Sequence, residues 1–367
     1  MTEEIQEPKR LAQLDILRAI ACILVIISHT PAPANPLMMA LKRGGWIGVD
    51  LFFVLSGFLV TSLLFREYKR DGRVRAGRFA IRRALKIYPA FYFFLFVTTI
   101  CIVLLANDLS NISPGKLLAE ALFVQNYLPS VWGHTWSLAV EEHFYIAVII
   151  LVWSCSRFGS GNPFRSWPPI LVGVGVVVLS LRIAFANTFT NVPAVTHLRC
   201  DALSMGILLA YLWNFQHDWF INFSARYRVI LLTAGILLVM PPFIYSAREY
   251  SWIRVYGLTT NYLGSAMILF AVIPLKMKNP GFISSSLAWV GTYSYSIYVW
   301  HAVVASWIIP RIHERTVDVS TYVTVFLSLL LSLCLGIVMA NIIEFPVLKF
   351  RDIFFPATDR RIATSRT

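Results

Sequence analysis

The ionisable side chains with the greatest potential for chemistry lie inside apolar segments. Two of them, Arg18 and His29, share the first apolar run, with ten residues between them. Eleven steps of about 100° return a helix to within roughly 20° of its starting face, over a rise of roughly 16 Å. The spacing therefore predicts that both side chains lie on one stripe of a helix. Because an ionisable group is costly inside a spanning helix, each is a functional candidate.

Carboxylates lie near the start of two other apolar runs. Asp50 stands in the second run, and Glu141 and Glu142 stand in the fourth. If the N-terminus is cytoplasmic, these groups lie about one helical turn below the outer membrane surface. Later runs add polar residues to the outer half or the middle of the membrane. We expect these groups to line a polar cavity that receives the acceptor, together with Ser137, Arg182, Arg199, Asp201 and His301.

Each of these residues also has a structural interpretation. Arg18 can extend its charge to the surface from a helix end, and His29 can be a hydrogen-bonded packing histidine. Asp50 can be the partner of an arginine or a helix cap. Of Glu141 and Glu142, one can face the cavity while the other pairs with an arginine or a lipid headgroup. The functional interpretation depends on their occurring together.

The chemistry that such a set favours is acyl transfer to a hydroxyl. A neutral histidine beside a carboxylate can take a proton from a hydroxyl as that hydroxyl attacks a carbonyl. The basic segment from Arg66 to Lys86 suits the phosphates of an acyl donor such as coenzyme A. Taken alone, a basic loop more often signals topology and binds lipid headgroups. The pattern permits a donor that enters from inside and an acceptor that is modified from outside.

The elements that must position these residues are membrane-spanning helices. Crossing about 30 Å of hydrocarbon takes roughly 20 apolar residues. The segment 117–128 is shorter than this, but it is apolar enough to be interfacial or re-entrant. About ten runs meet the requirement: 12–31, 46–65, 88–106, 136–154, 169–186, 200–214, 228–246, 256–275, 287–309 and 321–343. The predicted fold class is therefore all-α, a polytopic membrane protein without an evident repeat.

Composition supports this fold class. Of the 367 residues, 57% are hydrophobic and 14% are charged, whereas soluble domains carry about a quarter charged residues. The formal charge of +13 comes from loops: with an N-terminus inside, about 22 Lys and Arg residues fall on the cytoplasmic side and about eight outside. The asymmetry predicts cytoplasmic termini and a membrane-lipid environment, and it makes nucleic acid an unexpected partner.

Other features exclude further classes of function. The five cysteines are scattered through or beside apolar runs, without a CxxC pair or a histidine at metal spacing, so neither a disulfide nor a metal site is expected. The segment from Met1 to Leu11 is acidic and then basic, and no small-residue cleavage site follows it. A cleaved signal peptide is therefore not expected.

The same residues carry a resemblance to a known family. Seven motifs, in order through nearly the whole chain, resemble those of the acyltransferase 3 family: Leu14–Arg18 with His29, Gly48–Phe58, Arg82–Pro89, Trp136–Glu142, Arg199–Leu203, Tyr293–His301 and Glu344–Pro346. Members O-acylate bacterial surface polysaccharides, lipo-oligosaccharides, nodulation factors and macrolide antibiotics. Seven motifs in order make a chance resemblance implausible.

The resemblance implies a multi-pass O-acyltransferase of the bacterial inner membrane that uses acetyl-CoA or another acyl-CoA and no metal. His29 matches the catalytic histidine, and Glu141, preferred over Glu142, matches the first glutamate of the Trp-Ser-Leu motif. Arg18 matches the arginine of the Arg-x10-His motif. The donor-side basic motif corresponds to Arg82 and Arg83, with Lys86 in the same segment.

Two departures from the family pattern concern the acceptor. His143 stands where the family usually has Gln, and Cys200 stands where it has a larger or apolar residue. We expect residues 1–348 to form the membrane acyltransferase domain and 349–367 a basic cytoplasmic tail. A membrane unit without a soluble domain resembles members that act on smaller acceptors, including nodulation-factor acetylases.

Two other classes of protein remain alternatives. A transporter or flippase for a glycan or lipid-linked substrate would also carry intramembrane Arg, His and Glu, but it calls for discontinuous helices and paired half-repeats. A polytopic sensor or scaffold would tolerate the loss of charge at His29 and Glu141 together.

Overall fold

The computed structural model describes residues 11–31, 35–105, 112–158, 162–188, 191–275, 277, 280–315 and 320–356. The basic residues at 360 and 361 and most of the N-terminal segment lie outside this part of the chain. The described residues form helices and turns. In chain order the α-helices are α1 Ala12–Ser28, α2 Pro36–Gly44, α3 Ile47–Asp71, α4 Ala76–Leu105, α5 Pro114–Ala121, α6 Trp136–Phe158, α7 Trp167–Ala184, α8 Cys200–Phe215, α9 His217–Val239, α10 Pro241–Ile244, α11 Leu258–Val272, α12 Phe282–Thr292, α13 Ser294–Val303, α14 Ile309–Arg315, α15 Thr321–Met339 and α16 Phe345–Phe354.

Each predicted apolar run lies in helical structure, so the prediction of an all-α polytopic membrane protein is confirmed. Seven helical segments of the described chain are long and apolar enough to cross a membrane: Ile47–Asp71, Ala76–Leu104, Gly133–Arg157, Trp167–Ala184, His217–Ile244, Ile253–Val272 and Thr321–Phe354. The number of crossings and the side on which the termini lie remain predictions.

The other three predicted runs are shorter or interrupted. The first is the 17-residue α1 and the sixth is the 16-residue α8. The ninth is divided at Tyr293 into α12 and α13, and a π-helical turn, Val304–Ile308, then leads into α14. Helices α1 and α8 are lined with buried residues and pack against several neighbours, so protein rather than lipid surrounds much of their length.

Helices α3 and α8 pack closely because a glycine on each faces the other. A Cβ atom on Gly206 would lie 2.3 Å from the carbonyl oxygen of Val54, and one on Gly57 would lie 2.2 Å from that of Leu203. Backbone atoms block both sites, so no side-chain rotation can make room. The contact also brings the N-terminal ends of α3 and α8, which carry charged residues, close together.

Two buried ion pairs connect these ends. A guanidinium nitrogen of Arg199 lies 2.7 Å from a carboxylate oxygen of Asp50 on α3. Arg182 of α7 donates to Asp201 of α8 and also to the carbonyl oxygen of Leu198, at 2.9 Å. All four charged side chains are almost fully buried. Lipid supplies no hydrogen-bond partners, so these pairs give each buried charge an opposite charge as its partner.

A buried carboxylate also organises the turn that precedes α6. Glu120, at the end of α5, accepts hydrogen bonds from the backbone N–H of Trp132 at 2.9 Å and from the hydroxyl of Thr135 at 2.8 Å. Burial raises the pKa of the Glu120 carboxyl, and these hydrogen bonds oppose the rise. The contacts fix the turn that carries His134.

We expect Gly206→Ala to lower the free energy of unfolding by about 3 kcal/mol, since the new methyl group overlaps backbone atoms of α3. The matched control is Gly173→Ala on α7, where a Cβ would meet nothing within 4 Å. There the better helix propensity of Ala should leave stability unchanged or higher by up to about 1 kcal/mol. Thermal unfolding in detergent measures both. Equal melting temperatures for the two variants would contradict the close approach of α3 and α8.

Asp50→Asn should destabilise the protein by about 3–5 kcal/mol, because it leaves the buried guanidinium of Arg199 without its carboxylate. Replacing both partners by apolar residues, Asp50→Leu with Arg199→Met, should recover much of that loss. The control is Asp71→Asn, which breaks the more exposed pair with Arg70 and should cost no more than about 1 kcal/mol. A double variant less stable than Asp50→Asn would show that the pair does not act as a unit.

Candidate active site

A cavity of about 250 Å³ lies between five helices. Helices α4 and α13 contribute residues at helical spacing: from α4 come Arg83, Lys86 and Ile87, and from α13 come Ser294, Tyr295 and Tyr298. The rest of the lining comes from α1, α3 and α6: Arg18, Val49, Phe52, Phe53, Leu55, Ser56, Leu59, Leu63, Ser137, Leu138, Glu141 and Tyr145. Apolar walls with a few convergent polar groups are typical of a ligand site.

One end of the cavity, which we call the basic end, carries three cationic side chains. These are Arg18, Arg83 and Lys86. The Arg83 guanidinium lies 4.7 Å from the ring centre of Tyr145, in a cation–π contact. Arg18 also lies 3.8 Å from a carboxylate oxygen of Asp15, one turn earlier on α1. The basic end can therefore hold an anionic group while its cations stay oriented by the protein.

The adjacent arginine, Arg82, points elsewhere. Its guanidinium lies 3.0 Å from Asp352 of α16 and donates to the carbonyl oxygen of Phe355. Neighbouring helix positions differ by about 100°, so one of the two arginines lines the cavity and the other connects α4 to α16. Of the basic residues predicted to bind the donor, Arg18, Arg83 and Lys86 line the cavity and Arg82 does not.

The two glutamates of α6 also have different surroundings. Glu141 lines the cavity and accepts hydrogen bonds from the hydroxyls of Ser56, at 3.1 Å, and Tyr145, at 2.5 Å. Glu142 accepts a hydrogen bond from the hydroxyl of Tyr88, and it is absent from the cavity lining. Glu141 therefore connects α6 to α3 through Ser56 and holds the hydroxyl of Tyr145 within α6.

His29 lies at the C-terminal end of α1, eleven residues beyond Arg18. Its side chain is exposed, and its Nδ1 lies 2.8 Å from the carbonyl oxygen of Val25 and 3.2 Å from the hydroxyl of Ser28. A carbonyl oxygen can only accept, so Nδ1 carries the proton and Nε2 has a free lone pair. The backbone of α1, rather than Glu141, orients this imidazole.

Tyr298 lies between the cavity and His301. Its hydroxyl lies 2.5 Å from the hydroxyl of Ser137 and donates to the carbonyl oxygen of His134 at 3.0 Å. The Tyr298 ring lines the cavity on one side, and on another its centre lies 5.5 Å from the ring centre of His301. The imidazole of His301 in turn lies 5.0 Å from that of His29, centre to centre.

The structure thus brings together part of the predicted set. The cavity includes Ser137, whereas Asp50, Arg182, Arg199 and Asp201 form the buried ion pairs described above, and His301 lies beside His29. Sequence reasoning did not single out Tyr298, His134 or Tyr145. Each stands within four positions of a residue that was singled out, so the spacing of one helical turn was the available signal.

The arrangement supports acid–base chemistry. Within the part of the chain that the structure describes, no group of three or more His, Cys, Asp or Glu side chains could hold a metal ion. All five cysteines are free. The remaining reactive groups are an exposed imidazole with a free Nε2 at one end of α1 and three cations with a buried carboxylate around the cavity.

Comparison with known proteins gives a consistent assignment. Peptidoglycan O-acetyltransferase OatA of Listeria monocytogenes is 30% identical over 322 residues, which cover 80% of this chain and 49% of that protein. A Staphylococcus aureus protein named "Putative O-acetyltransferase" is 29% identical over 369 residues, 92% of this chain and 57% of its own length. The chain thus spans about half the length of the curated relatives it matches.

No solved structure matches the chain. The model of the acyltransferase 3 family, described as an acyltransferase domain, matches residues 11–341. This range contains the cavity, His29 and the buried ion pairs. The chain therefore belongs to the acyltransferase 3 family.

Proposed function

We propose that this protein is a membrane O-acyltransferase that moves an acyl group from an acyl-CoA to a hydroxyl of a carbohydrate. The observation that carries the proposal is the arrangement along α1. A cavity with three cations begins beside Arg18, and an imidazole with a free Nε2 stands at the other end of the same helix. The three cations can bind the phosphates of the acyl-CoA, and the free Nε2 can take a proton from the acceptor hydroxyl.

The basic end of the cavity fits the phosphates of coenzyme A. Arginine binds phosphate through paired N–H groups, and lysine adds a compact charge. A volume of about 250 Å³ is below the range of about 300–1,000 Å³ typical of whole small-molecule sites. It suits the narrow pantetheine arm, with the nucleotide outside, against the basic segment from Arg66 to Lys86. With the predicted topology the donor enters from the cytoplasm.

Glu141 contributes to the donor side in this proposal. Its carboxylate holds the hydroxyl of Tyr145, and the Tyr145 ring supports the guanidinium of Arg83. A cation that is already oriented loses less freedom when a phosphate binds. We therefore assign Glu141 to positioning Arg83, and we assign Asp50, Arg182, Arg199 and Asp201 to stabilising the outer ends of their helices.

His29 supplies the chemistry at the acceptor. The hydroxyl oxygen attacks the thioester carbonyl, its proton passes to Nε2 of His29, and the carbon–sulfur bond breaks as the ester bond forms. The thiolate of coenzyme A then takes the proton. In a second version of the reaction, Nε2 attacks the thioester first and carries the acyl group to the hydroxyl. Both versions require the exposed, singly protonated imidazole of His29.

The relatives guide the proposed acceptor. The Listeria protein is named a peptidoglycan O-acetyltransferase, and a Bacillus subtilis relative, 28% identical over 82% of this chain and 49% of its own length, bears the name "Putative peptidoglycan O-acetyltransferase YrhL". We propose a glycan at the outer face of a bacterial cytoplasmic membrane as acceptor and acetyl as the acyl group. Lipo-oligosaccharides and nodulation factors are narrower candidates within the same chemistry.

His29→Ala should abolish transfer, because it removes the base and the site of any acyl-enzyme. Purified protein is incubated with radiolabelled acetyl-CoA and a panel of bacterial oligosaccharides, and label is followed in the glycan and on the protein. We expect a loss of about 10²-fold or more, with an unchanged melting temperature. If His29→Ala stays active, the proposed role of His29 is wrong. Proton-coupled glycan uptake into liposomes without acyl-CoA would instead favour a transporter.

Arg83→Gln should raise the KM for acyl-CoA by about tenfold or more, since a hydrogen bond to a charged group contributes about 1.5–3 kcal/mol. The matched control is Arg82→Gln, one position earlier, whose guanidinium faces Asp352. The control should change KM less than about twofold. Initial rates at varied acetyl-CoA concentration measure both effects, and equal effects of the two variants would exclude the cavity as the donor site.

A further inference from the structure

Three histidines from distant parts of the chain meet beside the C-terminal end of α1. The ring centre of His301 lies 5.0 Å from that of His29 and 5.1 Å from that of His134, both in edge-to-face orientation. His301 is 1% exposed and His134 is 8% exposed, whereas His29 is exposed. The exposed imidazole of His29 therefore packs against the buried imidazole of His301.

Backbone carbonyls fix the proton positions of these rings. Nδ1 of His301 donates to the carbonyl oxygen of Tyr298, and Nε2 of His134 lies 3.1 Å from that of Val299. His301 is thus the Nδ1–H tautomer, like His29, and its lone pair is on Nε2. That Nε2 is buried and has no hydrogen-bond partner in the described residues. A buried acceptor without a donor is unfavourable, so a donor or a positive charge nearby would be stabilised.

The positive charge that arises in the proposed reaction is on His29. We propose that His301 is a positioning residue that stabilises the imidazolium form of His29 through the negative, unprotonated side of its own ring. This inference rests on the proposed function. In the step concerned, the acceptor hydroxyl loses its proton to Nε2 of His29 and the proton later passes to the thiolate. His301 neither gains nor loses a proton.

The surroundings of His301 favour a reaction in which His29 is protonated and His301 stays neutral. Among the described residues, the titratable groups in ring contact with His301, besides His29, are His134 before α6 and Tyr298 on the same helix. The carboxylate of Glu344 accepts a hydrogen bond from the hydroxyl of Ser296 at 2.6 Å. Ser296 precedes His301 on α13 by more than one helical turn. Two adjacent imidazolium rings would repel each other, so the pair carries one positive charge at a time, on the accessible ring of His29.

The test compares three replacements at one site. His301→Phe keeps a ring and removes the lone pair, His301→Leu removes the ring, and His301→Gln returns an acceptor oxygen. Because the neutral form of His29 is active, removing a group that stabilises its protonated form moves the acid limb of the pH–rate profile to lower pH. We expect Phe and Leu to shift the limb by about 0.5 to 1 pH unit and to lower kcat by about 10- to 100-fold. Gln should restore part of both.

A second measurement needs neither donor nor acceptor. Diethyl pyrocarbonate modifies neutral imidazoles, and mass spectrometry can follow the modification of exposed His29 as a function of pH. The midpoint should shift downwards in His301→Phe. The matched control is Trp300→Phe, the next residue on α13, whose ring packs against Phe93 and Phe94 instead. It should leave the midpoint and the acid limb unchanged.

The outcomes separate this inference from the proposed function. If wild type transfers no label, or if His29→Ala remains active, the proposed function fails. If wild type is active and His29→Ala is inactive, but His301→Phe keeps both its rate and its acid limb, only the role of His301 is excluded. A fall in rate without any shift in either pH midpoint would also exclude it. Failure of all three position-301 variants to accumulate would assign His301 to the fold and overturn the proposal.

Discussion

Lipid offers no hydrogen-bond partner, and this constraint explains why the buried charges of this protein lie beside partners within the chain. Asp50 lies beside Arg199, Arg182 beside Asp201, and Glu141 beside its two hydroxyl donors inside the helix assembly. A buried pair contributes little net stability compared with apolar residues of similar size, but the loss of one partner is costly. The pairs therefore restrict how the helices can be arranged, and the cavity depends on that arrangement.

The breaks in the helices serve the same arrangement. Helix α13 is separated from α12 at Tyr293 and followed by a π-helical turn, Val304–Ile308, and a second such turn, Ala340–Glu344, separates α15 from α16. Such turns occur frequently at functional sites because they re-aim side chains. Here they flank Tyr298 and His301 and carry Glu344 towards Ser296.

Much of the fold could be predicted from the sequence, because apolar length and helical period are local properties. All ten predicted runs lie in helical structure, although the ninth is divided at Tyr293. The partners could not be predicted in the same way. Whether Arg82 or Arg83 faces the cavity, or Glu141 or Glu142, depends on how a helix is rotated against its neighbours. The contact of His29 with His301 joins opposite ends of the chain, and only tertiary packing reveals it.

The position of Tyr298 has a consequence for any ligand of the cavity. Its side chain lies between the basic cavity and the buried histidines, and its hydroxyl contacts Ser137 and the backbone at His134. A ligand that fills the cavity therefore meets a hydrogen-bonded side chain on the side of the histidines. In the proposed reaction, the Tyr298 side chain would have to move before the thioester carbonyl could reach His29, so the rotation of one tyrosine would control access from the donor to the base.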